Sequence, residues 1–202
     1  MIKSKLCIFP LLIAATCSNA SSIEDKISQC QDCHGKNGVS VDADVPTIAG
    51  YSETSLTDML FAFQDEIRPE IMSKYRHGDT SRAETSMTAL SKELREEDIE
   101  AIAVYFSEQT FVAATQPFDA ALVKKGQRLH DKRCVKCHED GGSSADDDSG
   151  ILAGQWSKYL RSTFVHFKSG ERESEEEMIK KIKKLSDKQI ESLIHYYASL
   201  QG

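Results

Sequence analysis

No stretch of this 202-residue chain reaches the roughly 18 to 20 consecutive apolar residues that cross a bilayer, so nothing in it reads as a membrane span. Basic side chains are outnumbered, 25 Lys and Arg against 32 Asp and Glu, for a net charge of −7. That balance argues against a nucleic-acid partner, which needs clustered positive charge to neutralise phosphates. Regular apolar-polar alternation is absent, which argues against sheets, and no G-x-G-x-x-G run or βαβ pattern occurs. The chain is therefore not expected to bind a flavin or dinucleotide itself.

The first twenty residues read as an export signal. Lys3 and Lys5 form a basic start, Leu6 to Ala15 an apolar run, and Ser18-Asn19-Ala20 a small-residue cleavage site before Ser21. A lipidated Cys17 is the alternative, poorly served by the preceding Ala14-Ala15-Thr16. The segment 1–20 is thus expected to be a signal peptide, directing the remainder to the periplasm with four of its six cysteines.

Those four stand in two copies of one motif, Cys30-Gln31-Asp32-Cys33-His34 and Cys134-Val135-Lys136-Cys137-His138. C-x-x-C-H is the attachment signature of c-type haem: two thiols bond the two vinyl groups on one porphyrin edge, and the adjacent imidazole ligates the iron. Two C-x-x-C pairs sharing a zinc ion usually lie about 15 to 20 residues apart, whereas here 104 positions separate Cys30 from Cys134. A thioredoxin-like redox pair or two simple disulfides would leave the repeated histidine unexplained.

The rest of the chain repeats as well. At an offset of 104, Ile48-Ala49-Gly50 matches Leu152-Ala153-Gly154, Leu56 matches Leu160, and Phe63 matches Phe167. The offset then becomes 91: Met87 falls on Met178, Leu94 on Leu185, Ile99 on Ile190, and Tyr105-Phe106 on Tyr196-Tyr197. The first copy therefore carries 13 extra residues between Phe63 and Met87, expected to form a surface excursion that includes Arg68-Pro69 and His77-Gly78-Asp79.

Helical spacing joins Ile23, Ile27 and Cys30 before the first motif, and Leu122, Gly126 and Leu129 before the second. Further helices are expected at 55–64, 158–167, 95–108 and 187–200, the last opened by a Ser186/Gln189 capping box. The expected organisation is all-α: two tandem class I cytochrome c domains, at 21–109 and 119–202, joined by a linker at 110–118. Each domain is near the small end for an unaided core, so each is expected to depend on its macrocycle for folding.

Met87 and Met178 each lie seven residues before the leucine that opens a closing helix, at the end of a variable loop. A thioether there would give six-coordinate His/Met iron, with bis-histidine ligation as the competitor. His77, His130, His166 and His195 lack repeat counterparts and default to surface or core-edge roles, His77 being the nearest rival to Met87. The Pro46 carbonyl is placed to accept the His34 ring N–H. Gly150 stands at the equivalent position of the second copy, so His138 is expected to be held less rigidly. Trp156 is expected to pack in the core.

Two fused C-x-x-C-H domains with downstream methionines resemble the two-haem class I cytochromes, including the soluble c-four type. A narrower resemblance runs through Pro117-Phe118-Asp119-Ala120-Ala121-Leu122, Leu129-His130-Asp131-Lys132, Gly141-Gly142 and Ile151 to Leu160. That series is similar to the cytochrome subunit of flavocytochrome c sulfide dehydrogenase. The resemblance implies two covalent haem c groups attached through Cys30, Cys33, Cys134 and Cys137, with His34 and His138 proximal and Met87 and Met178 distal. It further implies no catalysis by this chain: a flavoprotein (FAD) partner would oxidise sulfide, and electrons would leave to an external acceptor such as another cytochrome. The alternative is a free two-haem shuttle of the c-four type; a two-haem peroxidase would need an open iron position.

Overall fold

The computed structural model describes residues 22–201; the expected signal peptide lies outside them. The described chain forms α1 (Ile23–His34), α2 (Glu53–Gln64), α3 (Met87–Lys92), α4 (Glu96–Ser107), α5 (Ala120–Arg133), α6 (Ser157–Ser169), α7 (Glu176–Lys183) and α8 (Asp187–Ser199). Among the described residues there is no strand, only an isolated bridge between Ser73 and Thr85, and no helix is long and apolar enough to cross a membrane.

Capping serines set most of the starts. Ser22, Ser52 and Ser86 accept the backbone N–H three residues on, each satisfying a donor the helix leaves orphaned. The expected capping box is present: Ser186 N–H donates to Gln189 Oε1 at 3.0 Å, and Gln189 N–H to Ser186 Oγ at 3.3 Å. In α4, Ile99, Ile102, Ala103 and Phe106 recur at helical spacing and are buried, as are Ile190, Leu193, Ile194 and Tyr197 of α8. Each stripe closes one core, the first with Leu56 and Leu60 of α2, the second with Leu160 of α6.

The repeat is visible in the backbone. Ile48 and Ala49 N–H both donate to Gly38 O, at 2.8 and 3.2 Å; Leu152 and Ala153 do the same to Gly142 O, at 2.8 and 3.0 Å. Gly50 N–H reaches Phe106 O and Gly154 N–H reaches Tyr197 O, both at 2.9 Å. These bonds follow the two offsets residue for residue, so the turn after each motif is tied to its closing helix in the same way.

Two helices escape the periodicity reading. The methionines are not loop residues: Met87 opens α3 and Met178 lies in the first turn of α7. Both helices are short, and Lys180 to Lys184 hides the apolar face of α7 that Ile182 buries.

The extra segment of the first copy is the expected surface excursion, most of it exposed. Its tip is exposed, but its flanks are pinned. Arg76 and His77 N–H donate to Asp32 O at 2.8 and 2.9 Å, Arg82 pairs with the Asp32 carboxylate, and the Arg82 guanidinium lies 3.6 Å from the ring centre of buried Tyr75. The loop folds back over the first motif.

The copies meet through a buried polar seam. Gln155, fully buried, accepts Thr47 N–H at 3.0 Å and donates to Thr47 O at 2.9 Å and Tyr51 Oη at 3.1 Å; Tyr51 Oη donates to Ile151 O at 3.0 Å. Tyr51 and Gln155 are repeat equivalents, so the contact is close to two-fold. Trp156 belongs to this seam and not to the core: its Nε1–H donates to Ser40 O at 3.0 Å, because the half-buried indole bridges to the other copy.

Candidate functional site

α1 delivers the first motif. Cys30 and Cys33 sit one turn apart, and His34 closes the helix before Gly35 turns away at φ 78. His34 Nδ1 lies 2.9 Å from Pro46 O. A carbonyl only accepts, so the ring proton is on Nδ1 and the Nε2 lone pair remains for a metal. Burial lowers the His34 pKa, partly offset by the Pro46 bond, which keeps the imidazole neutral, the ligating form. Burial pushes the Cys30 thiol up to about 12 and raises Cys33 as well. Neither environment favours the thiolate a zinc site or a redox pair needs. Among the described residues no three His, Cys, Asp or Glu side chains gather in a way that would hold a metal ion.

The second motif is built differently. α5 ends at Arg133, Cys134 caps it, and Val135 to His138 form a turn beyond the helix. Burial raises the Cys134 thiol and lowers His138. His138 Nδ1 is buried with no hydrogen-bond partner. The looser hold expected from Gly150 is therefore present, and the backbone explains it: Gly150 has φ 74, whereas a proline ring fixes φ near −65°. A carbonyl matching that of Pro46 is not presented there.

Met87 packs against the first core, as does Cys30. Met178 is half-buried, its sulfur accepting the Ser174 hydroxyl at 3.5 Å. His77 is exposed. His130, expected at the surface or the core edge, is 0 % exposed, with Nδ1 3.0 Å from Tyr197 Oη. Arg128, Asp131 and Lys132 around it conceal in the sequence that α5 presses this one side chain onto α8.

Arg68 and Arg172 are the residues sequence reasoning missed. They are related by the 104 offset, and each guanidinium covers a phenylalanine also so related, Phe63 at 4.1 Å and Phe167 at 4.5 Å. Both follow the ends of α2 and α6 and meet at the seam, where Glu173 N–H donates to Ile67 O at 3.0 Å. Neither pairs with a carboxylate among the described residues. Burial, then Arg172, lowers Arg68 to about 10. Burial would raise Tyr159, but Arg172 and Arg68 bring it below its ordinary value. Two confined cations without counter-ions fit an anionic ligand, and the propionate carboxylates of haem are of that class. The spacing that exposed Phe63 and Phe167 was the available signal.

Residues 121–196 match the family described as cytochrome c oxidase, cbb3-type, subunit III. Cytochrome c4 of Stutzerimonas stutzeri is 29% identical over 93% of this chain and 92% of its own length. Cytochrome c-554(548) of Halomonas halodenitrificans is 33% identical over 45% of this chain and 96% of its own. The crystal structure of reduced recombinant cytochrome c4 from Pseudomonas stutzeri superposes with a TM-score of 0.68 at 28% identity, covering 90% of this chain and all of that one.

The chain belongs to the c-type cytochromes, as a pair of class I domains. Its duplicated build and end-to-end matches place it with the two-haem cytochrome c4 type, electron-transfer proteins carrying two covalently bound haem c groups. The neutral thiols and the free Nε2 of His34 fit such a group.

Proposed function

We propose that this chain is a free two-haem electron shuttle, exported to the periplasm. Cys30 and Cys33 attach one haem and Cys134 and Cys137 the other; His34 and His138 are the proximal ligands and Met87 and Met178 the distal ones. The domains are taken as 21–109 and 119–202. When bound, the iron of each haem cycles between ferric and ferrous states, carrying one electron. The chain's own residues attach, orient and shield: Pro46 fixes the His34 ring, Tyr51 and Gln155 lock the two copies at a set separation, and the helical cores exclude water.

The observation that carries this reading is the pairing of one motif with one backbone frame, twice, along a chain that matches cytochromes c4 from end to end. The sulfide-dehydrogenase reading rests on the resemblance that is specific over about 118–160, whereas the likeness to cytochromes c4 runs over 93% of the chain.

The test is to express the tagged chain in its native host, purify it gently from the periplasm, and measure haem, flavin and mass. Two haems per chain, no co-eluting flavin and indifference to sulfide are expected. Stoichiometric flavin, with haems reduced on adding sulfide, would replace the shuttle with the dehydrogenase subunit. Met87→Ala and Met178→Ala should each abolish the methionine-ligation absorbance of one haem only.

A further inference from the structure

The two motifs share a spacing but differ in what covers them. Lys74 O lies 3.9 Å from Cys33 Sγ, and the loop that carries it is held by Asp32 inside the motif. The second copy has no such loop: Cys137 is exposed, and Val135 beside it is 42% exposed. Electron tunnelling falls off steeply with distance, so the uncovered edge is the better contact for an outside partner.

Charge changes sign between the copies at the same place. Glu24, Asp32, Glu93 and Glu97 of the first stand where Arg128, Lys136, Lys184 and Lys188 stand in the second. Residues 22–109 hold eighteen acidic and eight basic side chains; residues 119–201 hold fourteen and fifteen. Lys125, Arg128 and Lys132 follow one another along α5 at helical spacing and, with Arg133 and Lys188, line an open groove of about 660 Å³ between α5 and α8. Asp187 and Glu191 also line it, so basic side chains outnumber acidic ones there five to two.

We propose that an acidic one-electron carrier protein docks on this basic face of α5 and exchanges electrons with the second haem through the edge at Cys137. This rests on the haem assignment above. One electron passes; the reduced member of the pair is oxidised by one and the other is reduced by one, with no bond or proton moved. Complementary charge raises the encounter rate by about 10- to 1,000-fold and fixes register. An anionic membrane is the other taker of a basic surface. A protein is the better fit, because a membrane-surface helix needs an apolar face to insert, whereas the apolar side of α5 is packed on α8.

The experiment uses the full two-haem chain, its haem content confirmed by mass, and an Arg128→Glu/Lys132→Glu/Lys125→Glu variant at exposed positions. Stopped-flow reduction is followed with an acidic flavodoxin and with photoreduced lumiflavin, a small neutral donor. With flavodoxin, the wild-type rate should fall at least about tenfold as salt rises, and the variant should lose at least about tenfold at low salt. The lumiflavin rate should stay within about twofold, as should a Glu24→Lys/Glu97→Lys control with flavodoxin. Equal flavodoxin rates for wild type and variant, on chains carrying two haems, would overturn the docking proposal alone. So would patch-dependent binding to phosphatidylglycerol vesicles with an unchanged flavodoxin rate. A chain without haem would overturn the functional reading as well.

Discussion

The two copies run one backbone plan at two levels of restraint. In the first, the proximal histidine is tied to a proline carbonyl, and a loop is latched over the motif. In the second, the histidine Nδ1 has no partner, and Cys137 faces solvent. Even the tie between the motif helix and the closing helix differs. Lys26 pairs with Asp98 across α1 and α4; their repeat equivalents, His130 and Gln189, are neutral, and His130 bonds Tyr197 instead. Duplication supplied the frame, and each copy has since been adjusted separately, one toward enclosure and the other toward contact.

The largest expected effect breaks the second copy without touching the first. A Cβ at Gly126 would run into the Ser192 carbonyl and the Tyr196 side chain, so α5 and α8 cross at backbone distance. The equivalent residue, Ser22, is the N-cap of α1 and lies before that helix begins. Gly126→Ala gains about 1 kcal/mol in helix propensity, but forcing the helices apart costs about 3 kcal/mol, so overlap wins. Gly126→Val, larger and β-branched, should reduce haem occupancy toward one per chain, with α1 and α4 amides still protected in hydrogen exchange. Loss of protection in both copies together would show that the copies fold as one unit.

The seam gives the next largest effect. Gln155→Ala leaves Thr47 N–H and C=O without partners, costing about 2 kcal/mol or more, whereas Tyr51→Phe forfeits about 1 kcal/mol. Chemical denaturation should rank them in that order, and the reverse ranking would mean that water replaces the glutamine.

Much of this was legible in the residues, and the reason is periodicity. The two offsets located the frame, and the stripes of α4 and α8 located both cores. What stayed hidden depends on docking between distant segments. Arg68 looked like loop because nothing local says that residue 172 will arrive beside it. His130 read as a surface or core-edge residue because its neighbours are charged. The latch on Asp32 needs a loop to fold back across a helix, and no spacing rule records that. Gly150 was the exception: a single residue difference from Pro46 foretold the unpartnered His138.

The smallest effect sharpens the contrast between charged and neutral ties. Asp98 and Gln189 occupy the same position in the two capping boxes; Asp98 accepts Arg95 N–H at 3.0 Å, as Gln189 does Ser186 N–H. Hydrogen bonds from Arg95 and then Lys26 hold the Asp98 carboxyl well below the usual carboxylate range. A depressed folded pKa stabilises the fold while the group is ionised. That contribution is whole above an unfolded pKa of about 3.9 and drains away as pH falls through the lower folded value. Asp98→Asn should therefore loosen α4 amides at pH 7, and the gap from wild type should close on acidification below about pH 4. Gln189→Ala removes a neutral cap contact, so its loosening of α8 should have the same size at both pH values, about 1 kcal/mol or less. Hydrogen exchange resolved by helix reads both. A Gln189→Ala gap that closed in acid alongside that of Asp98→Asn would mean that the two ties titrate together and that the copies are not independently restrained.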